Sequence, residues 1–376
     1  MKKIIKNWVH IPGLHCGSTA LRDVVTYYGY NFSEAMCFGL GGGLGFFYIS
    51  GSPTTLPLDR YHVSDGEEDT DASAMESQPP CLAYSSDMYP RSQGENLNPT
   101  RIIHLRGPGM EPNFFSLIDK PTFWKYESDD DEAFQTLKYW ISRDVPVLIQ
   151  TDIYYLDYYK SSTHFPGHIV PVWGYDDETE TVFLSDTGFE GLQTVSYEDF
   201  KKGRTSKALP FPLENNWFEV DLKKPILPPS DVIPEAIRRN ARFMIEGTRS
   251  ARGESSVRMI KLWSEELPSW IDAPDWKWCA RFAYQVIEKR GTGGGGFRWI
   301  YRDFLREAEE IVPALKGFRL SEKMDLIGRK WSEMSMLLKR ISENERDESL
   351  FNKASEMARE LGEIEEEFYI RVIEVV

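Results

Sequence analysis

The sequence has no run of eighteen apolar residues in its 376 positions, so no membrane-spanning helix is expected. It has only four cysteines, Cys16, Cys37, Cys81 and Cys279, and their spacing forms no disulfide framework. There is no CxxC and no HExxH, which removes the common zinc signatures, and no metal is expected. Positive charge is short as well: 44 Lys and Arg stand against 59 Asp and Glu, a net charge of −15. A surface that tracks phosphates is basic, so nucleic acid is excluded as a partner. The basic start Met1-Lys2-Lys3-Ile4-Ile5-Lys6 is followed by Asn7 and His10 rather than by a secretory apolar segment. Scattered thiols suit a reducing compartment, and the cytoplasm is the expected location. No internal repeat is evident, and nothing indicates an oligomeric state.

What is present can build a substantial core: 41% of residues are hydrophobic, and eleven are tryptophan. The length predicts two domains, or one large one with appendages. Lys223-Lys224-Pro225 and Pro228-Pro229-Ser230-Asp231 mark a linker over 223–234. It would separate an α+β domain with an antiparallel sheet (1–222) from an all-α domain (235–376). Strands are expected near 46–49, 100–105, 147–151 and 216–222, and a helix over 131–142. Beyond the linker, helical periodicity covers about 233–248, 256–265, 276–289, 297–312, 322–342 and 346–370. Residues 53–99 carry nine acids against Arg60 and Arg91, a net of −7, and are rich in Ser and Pro. They read as an acidic surface insertion, with a functional lid as the alternative.

The chemistry begins at Cys16, in His15-Cys16-Gly17-Ser18-Thr19-Ala20-Leu21. Leu21, Val24, Val25 and Tyr28 recur at helical spacing and Gly29 is a natural stop, so a helix starts at or beside Cys16. Backbone N–H groups at a helix start favour a thiolate and offer donors to an oxyanion. The same position also suits a small buried hydrophobe. Downstream, 168–175 and 181–186 read as strands around the turn Asp176-Asp177-Glu178-Thr179-Glu180. His168 and Asp186 are equidistant from Asp177, which predicts cross-strand partners on one face. An aspartate there holds the imidazole tautomer and stabilises the imidazolium; the alternative is an ordinary surface pair. Pro171 requires an edge or a bulge. Cysteine, histidine and acid follow one another in the order of a papain-like nucleophile, base and orienter.

Several motifs together carry a family resemblance. The HC-x-S/T-A-L-R start, Ser33-Glu34-Ala35 and Phe38-Gly39-Leu40-Gly41-Gly42-Gly43-Leu44-Gly45-Phe46 resemble the N-terminal domain of the butirosin biosynthesis protein H family. So do Pro146-Val147, Asp152-x-Tyr154-Tyr155-Leu156-x-Tyr158 and His164-Phe165-x-Gly167-His168. Gly291-Thr292-Gly293-Gly294-Gly295-Gly296-Phe297-Arg298 and Tyr301-x-x-Phe304-Leu305 look like the helical domain that follows in that family. The resemblance implies a papain-like fold and acyl transfer from a carrier-protein thioester to an amine. By position, Cys16 would be the nucleophile, His168 the base and Asp186 the orienter. Papain-like enzymes place an oxyanion-hole glutamine six residues before the cysteine, where this chain has His10; a ring N–H there would take that role.

Other positions are candidates for substrate binding. Gly42 and Gly43 would let a substrate or the Cys16 helix approach closely. Asp152 with Tyr154, Tyr155, Tyr158 and Tyr159, and with His164 nearby, forms a polar–aromatic wall suited to a polyhydroxylated or amine-bearing ligand, or to sealing the two domains. The glycines 291–296 and Arg298 at a helix start would cradle an anion or serve as a hinge. They lack the Lys-Ser/Thr of a nucleotide-binding loop.

The leading expectation is a cysteine acyltransferase of secondary metabolism. No resident cofactor is expected, since phosphopantetheine would arrive on an acyl carrier protein or other thioester donor. The negative charge suits a cationic small-molecule acceptor, and the family resemblance implies an aminoglycoside-like one. A papain-like peptidase or amidase using water, and a noncatalytic binding protein, are the alternatives.

Overall fold

In the computed structural model, which describes residues 1–50, 99–161, 164–208, 212–250 and 253–376, strands and helices alternate in the first part of the chain and helices dominate the last. The order begins β1 (Lys2–Ile4), α1 (Cys16–Tyr27), α2 (Glu34–Leu40), β2 (Leu44–Ser50), β3 (Arg101–Arg106) and α3 (Met110–Leu117). It continues α4 (Asp130–Ser142), β4 (Val147–Thr151), β5 (His168–Asp176), β6 (Thr181–Leu184), β7 (Gln193–Ser196), α5 (Tyr197–Arg204) and β8 (Trp217–Glu219). The remainder is α6 (Pro229–Glu246), β9 (Thr248–Ser250), β10 (Gly253–Ser255), α7 (Val257–Glu266), α8 (Trp276–Glu288), α9 (Arg298–Ile311), α10 (Leu320–Glu343) and α11 (Glu348–Val375). Every pairing among these strands is antiparallel. No described helix is long and apolar enough to cross a membrane. The acidic insertion expected over 53–99, with Cys81, lies outside the described residues apart from residue 99.

The chain forms two compact units; one break, between residues 227 and 228, falls inside the expected linker 223–234, but residues 38–50 and 99–113 belong to the same unit as the C-terminal segment. The first holds the described residues among 1–37 and 114–227; the second holds those among 38–50, 99–113 and 228–376. In the first, the sheet order is β7-β6-β5-β4-β8, and β1 pairs with β5 at Gly174–Asp176, beyond the end of β4. Helix α1 packs on β5. Leu21, Val24 and Val25 of α1, with Ile149, Val170 and Val172 of the sheet, are fully buried. Each such side chain contributes about 1.5–3 kcal/mol on burial. Pro171 is accommodated as its missing N–H requires: the β5–β6 ladder carries an irregularity between Val172 and Gly174.

The second unit is not all-α. Its sheet, β3-β2-β10-β9, is covered by helices α6, α7 and α8, and α10 packs against α8, α9 and α11. Strands β2 and β3 join it because they are buried on both faces: Phe46 and its neighbour Phe47, and Ile103 and its neighbour His104, are all buried. A strand of that kind needs a layer on each side. The helices of the C-terminal segment supply one, through Trp263, Trp270 and Trp331, of which Trp263 and Trp331 stack at 6.0 Å with Phe46 beside both.

Candidate active site

Helix α1 starts at Cys16 because the chain before it is pinned from two sides. His15 is the N-cap, and its Nδ1 accepts the Ser18 N–H at 3.2 Å. Glu34 accepts the backbone N–H groups of Leu14 (3.0 Å) and His15 (2.8 Å) and the hydroxyls of Ser18 (3.1 Å) and Thr19 (3.2 Å). Cys16 is left partly exposed in the first turn, whereas Cys37 and Cys279 are buried.

His168 is the first residue of β5 and pairs with Thr151 of β4. Its Nε2 lies 2.9 Å from both carboxylate oxygens of Asp186. The pair meets, but not as cross-strand partners. The ladder runs Val172↔Leu184 and Asp176↔Thr181, so the turn is centred later than Asp177 and β6 ends before Asp186 is reached. Asp186 arrives instead from the segment after β6, with the Ser185 N–H on the Pro171 carbonyl at 3.4 Å. Burial opposes a charge on His168, but the Asp186 carboxylate and the hydrogen-bonded Cys16 outweigh it and hold the imidazole well above its ordinary value.

Asp186 has further partners. The Tyr158 hydroxyl donates to its Oδ2 at 2.7 Å and the Tyr159 hydroxyl to its Oδ1 at 3.1 Å. Tyr158, expected to bind substrate, therefore spends its hydroxyl on the carboxylate. Tyr155 stays half-buried beside the Tyr154 and His164 rings, 5.2 and 5.9 Å away.

His10 is not placed as an oxyanion donor. Its Nδ1 donates to Asp23 Oδ2 at 2.6 Å and its Nε2 to the Phe189 carbonyl at 3.0 Å, so both ring N–H groups are committed. Asp23, two turns after Cys16 on α1, also accepts from Ser185 Oγ (2.9 Å) and Arg22 (3.1 Å). The network fastens α1 to the segment that carries Asp186. Burial lowers the His10 pKa, and the Asp23 carboxylate and Phe189 carbonyl more than reverse this, raising it. A raised histidine contributes stability that is full below its unfolded value, about 6.5, and is lost as pH rises through its folded value. His10→Phe should therefore lower stability by ~1.5–3 kcal/mol at pH 5.5 and by clearly less at pH 9, read by urea unfolding. A pH-independent loss accompanied by collapse of Cys16 acylation would restore the oxyanion role.

Three more expectations are corrected. Asp152 is fully buried and saturated: it accepts from the N–H groups of Tyr154 (3.1 Å) and Phe165 (2.8 Å), from Ser206 Oγ (2.6 Å) and from His164 Nδ1 (2.7 Å). It organises the β4–β5 connection, where His164 and Tyr154, stacked at 4.1 Å, keep exposed edges. Gly42 and Gly43 belong to the second unit; a Cβ on Gly43 would stand 2.4 Å from the Phe38 ring, and the Gly43 carbonyl accepts the Gly107 N–H at 2.9 Å. Their close approach is to β3 and its continuation.

Arg298 is fully buried and forms a two-point pair with Glu365, both contacts 2.9 Å. The glycine loop before it already has its anion: Glu288 accepts the Gly295 N–H at 3.3 Å, and a Cβ on Gly295 would stand 2.1 Å from the Trp299 indole.

Residues 15–75 and 87–187 match the N-terminal domain of butirosin biosynthesis protein H. The matched region carries that family's N-terminal domain. Residues 198–372 match a domain of unknown function (DUF4872). Cys16, His168 and Asp186 all fall in the N-terminal match, and Arg298 in the other. An uncharacterized protein of Bacillus subtilis (strain 168), YobF, is 26% identical over 152 residues, 35% of this chain. The matched region spans half of that relative's length.

Glu34, Asp23 and Ser185 were not singled out by the sequence as parts of the site. Asp23 carries one usable signal, a carboxylate in register with Leu21, Val24 and Val25 on the buried side of an amphipathic helix.

Proposed function

We propose that this protein is an enzyme of antibiotic-type secondary metabolism, a papain-like cysteine acyltransferase. The observation that carries the reading is the commitment of His168 Nε2 to Asp186 on one side, with Cys16 hydrogen-bonded to the same ring. Because Nε2 is taken, Nδ1 is the atom left for the thiol, and the raised imidazole pKa favours a thiolate–imidazolium pair. The packing of α1 on the strand that begins with His168 supports a papain-like arrangement.

The steps balance as two acyl transfers. The Cys16 thiolate attacks the carbonyl carbon of a thioester, the bond to the carrier sulfur breaks, and His168 gives that sulfur its proton. An amine then attacks the Cys16 thioester, His168 takes the amine proton, and the Cys16 thiolate departs. Phosphopantetheine would enter only as part of the donor, and a reducing cytoplasm preserves the thiol. The net charge of −15 favours a cationic acceptor.

Incubation with an acyl-phosphopantetheine thioester, with and without a polyamine sugar, tests this by intact mass. The expected products are an acyl adduct on the protein alone and an amide when the amine is present. Free acid as the only product in both arms would make the protein a hydrolase.

A further inference from the structure

We propose that Tyr158 and Tyr159 are positioning residues that hold the Asp186 carboxylate aimed at His168. The inference rests on the triad proposed above. Four separate parts of the first unit meet here: α1 brings Cys16, β5 brings His168, the segment after β6 brings Asp186, and the connection between β4 and β5 brings the two tyrosines. The tyrosines sit in a short 3-10 turn, Asp157–Tyr159, closed by Lys160 in the left-handed region. Phe189 packs edge-on against both rings, at 4.9 and 4.8 Å.

The carboxylate of Asp186 is fully buried, and one imidazole spread over both oxygens is a thin compensation for removing it from water. Tyr158 supplies a donor to Oδ2 and Tyr159 a donor to Oδ1, so each oxygen has a hydroxyl of its own. Neither hydroxyl serves as an acid or base near neutrality. Burial first, and the Asp186 charge second, push both tyrosines far above their ordinary ionisation. They are permanent donors. The Tyr159 hydroxyl also lies 3.3 Å from His168 Nε2, so it fixes the place of the ring as well as that of the carboxylate.

The titratable groups facing this cluster are His168 of β5, the two tyrosines of the turn, Cys16 of α1 behind His168, and His10, which reaches the segment through the Phe189 carbonyl. Without the two hydroxyls the carboxylate is free to turn away from the ring; His168 then loses part of the interaction that holds it an imidazolium, and the Cys16 thiolate loses its counter-ion.

The test is the rate of Cys16 alkylation by iodoacetamide from pH 4 to 9, read by peptide mass, in the full chain and in Tyr158→Phe, Tyr159→Phe, the double variant and Asp186→Asn. The rate between pH 6 and 7 should fall about tenfold in each single tyrosine variant and further in the double one. An unchanged profile in single variants that melt like the parent would overturn the proposal, whatever the double variant does. If Asp186→Asn also leaves the profile unmoved, the triad itself falls. If Asp186→Asn moves it and the tyrosine variants do not, only the tyrosine role is lost.

Discussion

Cys16→Ala should abolish the acyl adduct and reduce acyl transfer by about a million-fold, the loss typical of removing the nucleophile from a cooperating triad. Cys279→Ala should leave both unchanged. The contrast has a physical origin in each thiol's surroundings. Cys16 stands partly exposed at the start of α1, with an imidazole held cationic by a buried carboxylate. Cys279 is buried, and burial together with the Asp275 carboxylate pushes its thiol up to about 12, so it stays protonated and inert. His168→Ala should approach the Cys16→Ala loss. Asp186→Asn should cost less, about 10⁴-fold, because it alters the tautomer and leaves the base in place. Trapping with a carrier thioester and intact-mass analysis reads all four variants. Equal adduct loss in Cys16→Ala and Cys279→Ala would show that the adduct does not report on this site.

The parts of the molecule legible in advance are those set by local pattern. The start of α1 follows from its apolar spacing and the stop at Gly29, and Val147–Thr151 reads as a buried strand because all five residues are covered. The helices after residue 229 follow from their period. His168 and Asp186 were paired correctly on a wrong register: the ladder already sets Asp176 opposite Thr181, so the hairpin turns later than Asp177, and β6 ends at Leu184 before Asp186 is reached. His10 illustrates the other limit. Its position matches an oxyanion donor, yet its ring is claimed by Asp23 and by a carbonyl 179 residues away in sequence. Likewise, the membership of β2 and β3 in the second unit depends on partners some two hundred residues later, such as Ser255 Oγ on the Phe46 carbonyl at 3.1 Å. Contacts of that range are outside what periodicity or motif spacing encodes.

Arg298 is where a motif reading and a packing reading make opposite predictions. As an anion cradle, Arg298→Met would weaken ligand binding and leave folding alone. The surroundings point the other way. The guanidinium spans Glu365 of α11 with two 2.9 Å contacts and donates to the Gly296 carbonyl at 2.7 Å, while the Trp331 indole of α10 donates to Glu365 at 2.5 Å. Both charged side chains are fully buried. Removing one partner leaves the other charge in the helical core without its counter-ion, so Arg298→Met should lower stability by ~3–5 kcal/mol. Met has the length to fill most of the vacated space, so the loss reports on charge more than on a cavity. Removing both charges should be far milder: Arg298→Met combined with Glu365→Leu is expected to recover most of that loss, because it leaves only the Trp331 N–H and the Gly296 carbonyl to find new partners. Urea unfolding followed by tryptophan fluorescence is suited to this, since Trp263, Trp270 and Trp331 are buried in the same unit. A double variant no more stable than Arg298→Met would mean that lost packing rather than the stranded carboxylate sets the cost. A single variant as stable as the parent would return Arg298 to the list of ligand-binding residues.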